Sequence, residues 1–231
     1  MVETLDLLAF GAHPDDVEIG MGGTIAVHTQ KGFRVGIVDL TAAELSSNGS
    51  VPLRKEEAAK AGEILKLTRR DNLGFPDRGL YLDENKIATL VDIIRRYRPK
   101  VVFAPYTEDR HPDHGHCGRL VEEAVFSAGI HKYKGKEAFP AHKTAALYFY
   151  FINGFHKPDV VLDITAVQPQ KMRALAAYES QFEQGEGVET PLTTGYLETV
   201  ESRDRLFGKE SGVLFAEGFK AKRPLVVPLF I

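Results

Sequence analysis

Two short stretches concentrate the residues able to do chemistry, His13-Pro14-Asp15-Asp16 and His111-Pro112-Asp113-His114. In the first, His13 and Asp16 stand three residues apart across what reads as a strand-to-helix turn, so one turn of chain can aim both at a single ion. Pro14 fixes the backbone between them and suits a helix start. The second stretch supplies further imidazoles, and adding one of them gives two histidines and one carboxylate. Three protein ligands with a position left for water is the pattern of a catalytic zinc site. Spacing alone leaves open which of His111 and His114 is the ligand.

Carboxylates exceed what coordination needs. With Asp16 as ligand, Asp15 is free and adjacent, able to take a proton from attacking water and return it to a leaving amine. Its competing role is to cap the helix that begins near Val17. Glu18 reads as structural. A protonated His111 would stabilise an oxyanion, with Asp113 holding its ring and raising its pKa by charge pairing. Cys117 reads as a buried, inert thiol. His28, His116, His131, His142 and His156 lack a partner motif and read as ordinary surface or core residues. Gly20, Gly22 and Gly23 carry no GxxxxGK phosphate-loop pattern and read as close-packing positions.

These groups need elements to position them. Leu5 to Phe10, Val35 to Leu40, Val101 to Ala104, Ala145 to Phe151 and Val160 to Leu162 read as strands. Continuous apolar runs of this kind point to a sheet covered on both faces. Between them lie helical patterns. Ile87, Leu90, Val91 and Ile94 form an amphipathic stripe ending near Pro99, and Ser50 before Pro52 marks a start with Ala58, Ala61 and Leu65 on one face. Met172, Leu175 and Ala176 mark another helix, and Leu197, Val200 and Phe207 a last one. The expectation is a single Rossmann-like α/β domain over residues 1–231, with a mostly parallel sheet covered by helices on both faces. Such sheets place their sites beyond the carboxyl ends of the strands. Both motifs follow strands, so residues about a hundred positions apart would share one pocket.

Composition narrows the class. The 231 residues carry 29 basic and 32 acidic side chains, and no basic stripe of a nucleic-acid binder is visible. One cysteine excludes an internal disulfide and fits a reducing compartment. No apolar run approaches the ~20 residues of a membrane span, and Met1 to Phe10 lacks the basic start of a secretory signal. The sequence therefore reads as a cytoplasmic protein with no membrane and no nucleic-acid partner.

The two motifs together, His13-Pro14-Asp15-Asp16-Val17-Glu18 and His111-Pro112-Asp113-His114, resemble the LmbE-like (PIG-L) zinc deacetylases of N-acetylglucosamine conjugates. Ala43 to Gly49, Pro76 to Tyr81, Glu108 to Arg110, Asn153 to Pro158 and Tyr178 to Phe182 are similar to the bacillithiol-biosynthesis branch, the N-acetyl-α-D-glucosaminyl L-malate deacetylases. The resemblance implies one zinc ion per chain on His13, Asp16 and His114. It makes Asp15 the general base and His111 the electrophilic partner. It also implies sugar contacts from Arg54 and Asp77, with Arg54 suited to an anionic group, and a homo-oligomer, a hexamer in this branch. The related mycothiol branch has a tyrosine where this chain has Asp109, and Tyr196 is the candidate to replace its help to the oxyanion.

The activity expected is hydrolysis of the acetamide on a glucosamine conjugate, set against three rivals. An Fe(II) oxygenase shares the two-histidine, one-carboxylate triad, but the alternating helices argue against its usual all-β fold. A non-catalytic metal or sugar-binding module has no use for the free Asp15. An amidase acting on thiol conjugates shares the chemistry and is separated only by substrate.

Overall fold

The computed structural model describes residues 4–183 and 187–226. Its chain runs β1 (Leu7–Gly11), α1 (Asp16–Gln30), β2 (Val35–Thr41), α2 (Val51–Ile64), β3 (Arg69–Phe75), α3 (Glu84–Tyr97), β4 (Val101–Pro105) and α4 (Pro112–Ala128). It continues through β5 (Ala146–Tyr150), β6 (Val160–Asp163), α5 (Gln168–Ala176), the short α6 (Glu179–Phe182), α7 (Tyr196–Ser211) and β7 (Ala216–Ala221). The seven strands form one sheet in the order β3-β2-β1-β4-β5-β7-β6. All pairings are parallel except those of β7, which is antiparallel to β5 and β6.

The unbroken apolar strands arise because the sheet is covered twice. Along β1, Leu7 and Ala9 enter one core while Leu8 and Phe10 enter the other, and β2 and β4 alternate in the same way. The first core is closed by apolar residues of α1, α2, α5 and α7, the second by those of α3 and α4. Period-two alternation of side chains across a sheet with two buried faces leaves no polar side to show in the sequence. This is the α/β class expected from the sequence.

Two strands were not among those expected. β3 is an edge strand of composition RRDNLGF, and its half-buried Arg70 is held by ion pairs with Asp39 and Glu18 rather than by apolar packing. β7 lies inside the sheet, yet Glu217 is buried at its second position. Apolar runs find strands whose burial is hydrophobic, and these two are partly buried by charge.

Helix starts follow their local chemistry. Ser50 caps α2 by accepting from Leu53 N, and Asp83 caps α3 by accepting from Lys86 N at 3.0 Å. α1 is broken at Met21, whose φ of −151° is not helical. The Glu217 carboxylate supplies the missing cap beyond the break, accepting from Gly23 N at 2.8 Å and Thr24 N at 2.6 Å. Gly20 and Gly23 are packing positions as read: a Cβ would lie 2.1 Å from the Tyr150 ring at the first and 2.8 Å from Ile164 at the second. No helix among the described residues is long and apolar enough to cross a membrane.

The chain order reverses between β1 and β4, which are neighbours in the sheet. β1 ends two residues before His13, and β4 ends six before His111. Both motifs thus leave the carboxyl edge at the switch point, where open α/β sheets leave a crevice.

Candidate active site

A cleft of about 570 Å³ opens at that edge, in the size range of small-molecule sites. Its wall includes His13, Asp15, Asp16, Arg54, Asp77, His111, His114 and Tyr196. Of the nine residues expected to act in the site, Asp113 alone is not on the wall; it is fully buried behind His13.

Asp16 joins the two motifs. Its Oδ1 lies 3.1 Å from His114 Nε2 and its Oδ2 lies 3.5 Å from His13 Nδ1. The opposite nitrogen of each ring meets its own carboxylate: His13 Nε2 is 3.1 Å from Asp77, and His114 Nδ1 is 3.0 Å from Asp109. A carboxylate behind an imidazole fixes its tautomer and raises its basicity, which is how ligating histidines are oriented. Asp109 is in turn held by Asn153, whose backbone and side-chain N–H groups both donate to it. His13, His111 and His114 also bring ring nitrogens within 4.8 Å of one another, as do donors of His13, Asp77 and Asp113.

The electrostatics fit a cation. Burial works against a charged His13, but the carboxylates of Asp16 and Asp77 outweigh it and push the imidazole up to about 10. Burial likewise opposes His114, and Asp16 and Asp109 push it up to about 9. Among the described residues, Asp15, Asp16, Asp77, Asp109 and Asp113 crowd this region, with Arg54 paired to Asp15 and Arg78 to Asp113. The remaining carboxylates draw protons onto the imidazoles. A divalent ion held by His13 Nδ1, Asp16 and His114 Nε2 would supply that positive charge instead, and two nitrogens with one oxygen suit zinc.

Asp15 sits apart from these donors. Its φ is 121°, a left-handed conformation in a residue other than glycine, at a cost of about 1–3 kcal/mol. Its side chain makes no cap bond to α1, so capping does not explain it. Burial pushes its carboxyl up to about 7, against the pull of Arg54 and with the push of Asp16. A carboxylate poised near neutrality is matched to moving a proton in both directions.

One expectation changes in the structure, and three other residues are found with partners inside the protein. Asp113 does not hold the His111 ring. Its carboxylate accepts from Arg78 N at 2.6 Å and from Arg78 Nη1 at 3.1 Å, while its backbone N–H donates to His111 Nδ1 at 3.3 Å. His111 is thus the cap of α4, and its pKa is lowered, by burial first and then by the charges of His114 and His13. The lowered pKa favours the neutral ring, and the Asp113 N–H directed at Nδ1 favours the tautomer with its proton on Nε2. Arg54 and Asp77 line the cleft but are engaged inward: Arg54 with Pro14, Asp15 and Ser46, Asp77 with His13 and Leu45 N. The Tyr196 hydroxyl donates to Ile152 O and Asn153 Oδ1, at 3.0 and 3.2 Å.

The sequence reading missed Asp109 as the partner of His114, and Asn153, Gln181 and Arg110 as wall residues. In the sequence, Glu108 to Arg110 and Tyr178 to Phe182 stand out only as stretches. The places of Asp109, Asn153 and Gln181 depend on pairs up to 135 residues apart, which no local spacing reveals.

A carboxylate pushed toward neutrality beside a bridging one is of little use to a protein that only binds. It serves a hydrolase that must move a proton, and that is the class this cleft defines. The chain belongs to the family described as PIG-L: GlcNAc-PI de-N-acetylase, which matches residues 8–125. Across 227 residues it is 33% identical to the diacetylchitobiose deacetylase of Thermococcus kodakarensis, covering 93% of this chain and 82% of that one. It is 30% identical to the probable N-acetyl-alpha-D-glucosaminyl L-malate deacetylase 2 of Bacillus subtilis, covering 74% and 80%. The crystal structure of the conserved protein TT1542 from Thermus thermophilus superposes with a TM-score of 0.90 at 38% identity, covering 99% of both chains. The LmbE-like family read from the two motifs is the family of this protein.

Proposed function

We propose that this protein hydrolyses the acetamide of an N-acetylglucosamine conjugate with an anionic aglycone, N-acetylglucosaminyl-malate being the substrate that best fits. The observation that carries the reading is Asp15, a buried carboxylate on the cleft wall, paired to Arg54 and standing beside a carboxylate that bridges two imidazoles. Zinc on His13, Asp16 and His114 would polarise the acetamide carbonyl and acidify the attacking water.

The chain's own residues do the rest. Asp15 accepts the proton of the attacking water on its carboxylate and returns it to the leaving nitrogen, releasing acetate and a free amine. His111 donates from Nε2 to the developing oxyanion as a neutral imidazole, its other nitrogen being occupied by the Asp113 N–H. Asp77 and Asp109 keep the two ligating rings in orientation.

Arg110 favours the anionic aglycone. It is exposed on the cleft wall and has no ion pair or hydrogen bond among the described residues. An uncommitted guanidinium at the mouth of a site is suited to a carboxylate. Purified protein incubated with N-acetylglucosaminyl-malate, diacetylchitobiose, free N-acetylglucosamine and an N-acylated thiol conjugate, with free amine measured, tests the reading. The malate conjugate should give the highest kcat/KM, and Arg110→Ala should erase its lead over diacetylchitobiose. Preference for the thiol conjugate would replace this function with that of an amidase.

A further inference from the structure

We propose that Arg203, on α7, is a positioning residue for the metal centre, fixing the distance between Asp16 and His114 from behind the cleft. The inference rests on the reading of His13, Asp16 and His114 as zinc ligands.

Arg203 is only 9% exposed and does not line the cleft. It forms no ion pair among the described residues. Its hydrogen bonds go to two main-chain carbonyls: Nη1 donates to Ile152 O at 2.6 Å and Nη2 to Ile19 O at 3.0 Å. Burying a charge without a counter-charge is costly, so stability alone is a poor reason for a guanidinium here. A planar fork with its nitrogens at fixed spacing is suited to holding two carbonyls at a set separation.

Each carbonyl belongs to a segment that carries part of the ligand set. Ile19 N donates to Asp15 O at 2.9 Å, so the place of Ile19 sets that of the turn bearing Asp15 and Asp16. Its carbonyl is open to a partner because α1 is broken at Met21. Gly23 N, the partner that Ile19 O would have in a regular helix, donates to Glu217 at 2.8 Å. The break interrupts the bonding between the first turn of α1 and the rest of the helix, and Arg203 ties that turn to α7.

Ile152 lies on the other side of the centre. Its neighbour Asn153 donates to Asp109 from N at 3.0 Å and from Nδ2 at 2.9 Å, and Asp109 orients the His114 ring at 3.0 Å. Tyr196, also on α7, donates to the same Ile152 O at 3.0 Å. The two segments converge where Asp16 Oδ1 meets His114 Nε2 at 3.1 Å. One guanidinium thus joins the backbone behind Asp16 to the backbone behind His114.

Arg203→Lys keeps the buried charge but offers a single point in place of the fork, so it can hold one carbonyl and not both. Its zinc affinity, read by competition with a chelator, should fall about 10–100-fold, the usual result of losing a support behind a ligand. Lys171→Met is the control for stability, since that ammonium pairs with Asp204 and Glu217 away from the cleft. It should bind zinc as tightly as the wild type although it is less stable. An equal loss of zinc affinity in both variants, or wild-type affinity in Arg203→Lys, would overturn the proposal. Arg203→Gln is the second variant should the lysine not fold, and failure of both to fold would make Arg203 a stability residue and overturn it as well. Crystal structures of the metal-free wild type and variant decide the matter without zinc or turnover. The contact between Asp16 Oδ1 and His114 Nε2 should open in the variant, and an unmoved contact would refute the role of Arg203 even if the protein proved to bind no zinc. A wild type without zinc affinity would instead sink the ligand reading.

Discussion

Helix α1 connects two clusters of buried charge with opposite characters. At its start, Asp15, Asp16, His13 and His114 line a cleft, and the carboxylates nearby outnumber the guanidiniums paired to them. At its break, Lys171 lies 2.6 Å from Asp204 and 2.8 Å from Glu217, and Glu217 also accepts from Gly23 and Thr24. Lys171, Asp204 and Glu217 are all essentially inaccessible to solvent, and none lines the cleft. In this second cluster every charged group has a direct partner, so nothing is left over for a ligand. The first keeps an excess of carboxylates facing the cleft. Burial of charge is common to both; imbalance facing a cavity separates chemistry from architecture.

The comparison can be broken most severely at the metal. His114→Ala should lose most bound zinc and all useful turnover, whereas a variant in the second cluster should lose neither; metal analysis of the purified proteins decides. Next in size is Asp15→Asn, which should cut turnover by about 10²–10⁴ with zinc content unchanged. Loss of the metal in that variant would mean that Asp15 and not Asp16 is the ligand.

His111→Ala should cost about 10²–10³ in kcat and in kcat/KM together, with zinc retained. Because the ring is neutral, with its pKa lowered, its charge is not what the site uses near neutrality and above. The basic limb of the pH–rate profile should therefore be the same in His111→Ala as in wild type. A basic limb that disappears in the variant would restore an imidazolium donor. Asp109→Asn is milder still, weakening zinc by about 10–100-fold through the His114 ring, readable by competition with a chelator.

The second cluster should answer in stability alone. Lys171→Met leaves two buried carboxylates without their shared cation and should cost about 3–5 kcal/mol, seen as a lower denaturation midpoint with kcat per folded molecule unchanged. Burial raises Asp204 from 3.8 to about 6, against the pull of Lys171. The folded protein then holds a proton there that the unfolded chain has released, so this residue's contribution to stability falls as pH rises from 3.8 to about 6 and is level above that. The stability difference between wild type and Asp204→Asn should follow that course, and a flat difference would remove Asp204 from the titration.

The sequence by itself determined the chemistry at short range and the class of fold. His13, Asp15 and Asp16 share one turn, and a turn's geometry is set by neighbouring residues, so their convergence was legible before any fold was known. The central strands were legible because a doubly covered sheet writes continuous apolar runs. Ser50 and the stripe from Ile87 to Ile94 announced their helices through capping and period, which are also local. Tertiary structure alone decided what lies behind those groups. Asp77 is paired with His13, 64 residues away, and Arg54 with Asp15, 39 residues away. Asp109, read only as an absent tyrosine, became the support of His114. β3 and β7 stayed hidden because the half-buried Arg70 and the buried Glu217 are held by ion pairs with distant elements. Periodicity records how a segment meets apolar neighbours, but a buried charge is stable only beside its particular partner, and the crossovers of the sheet choose that partner.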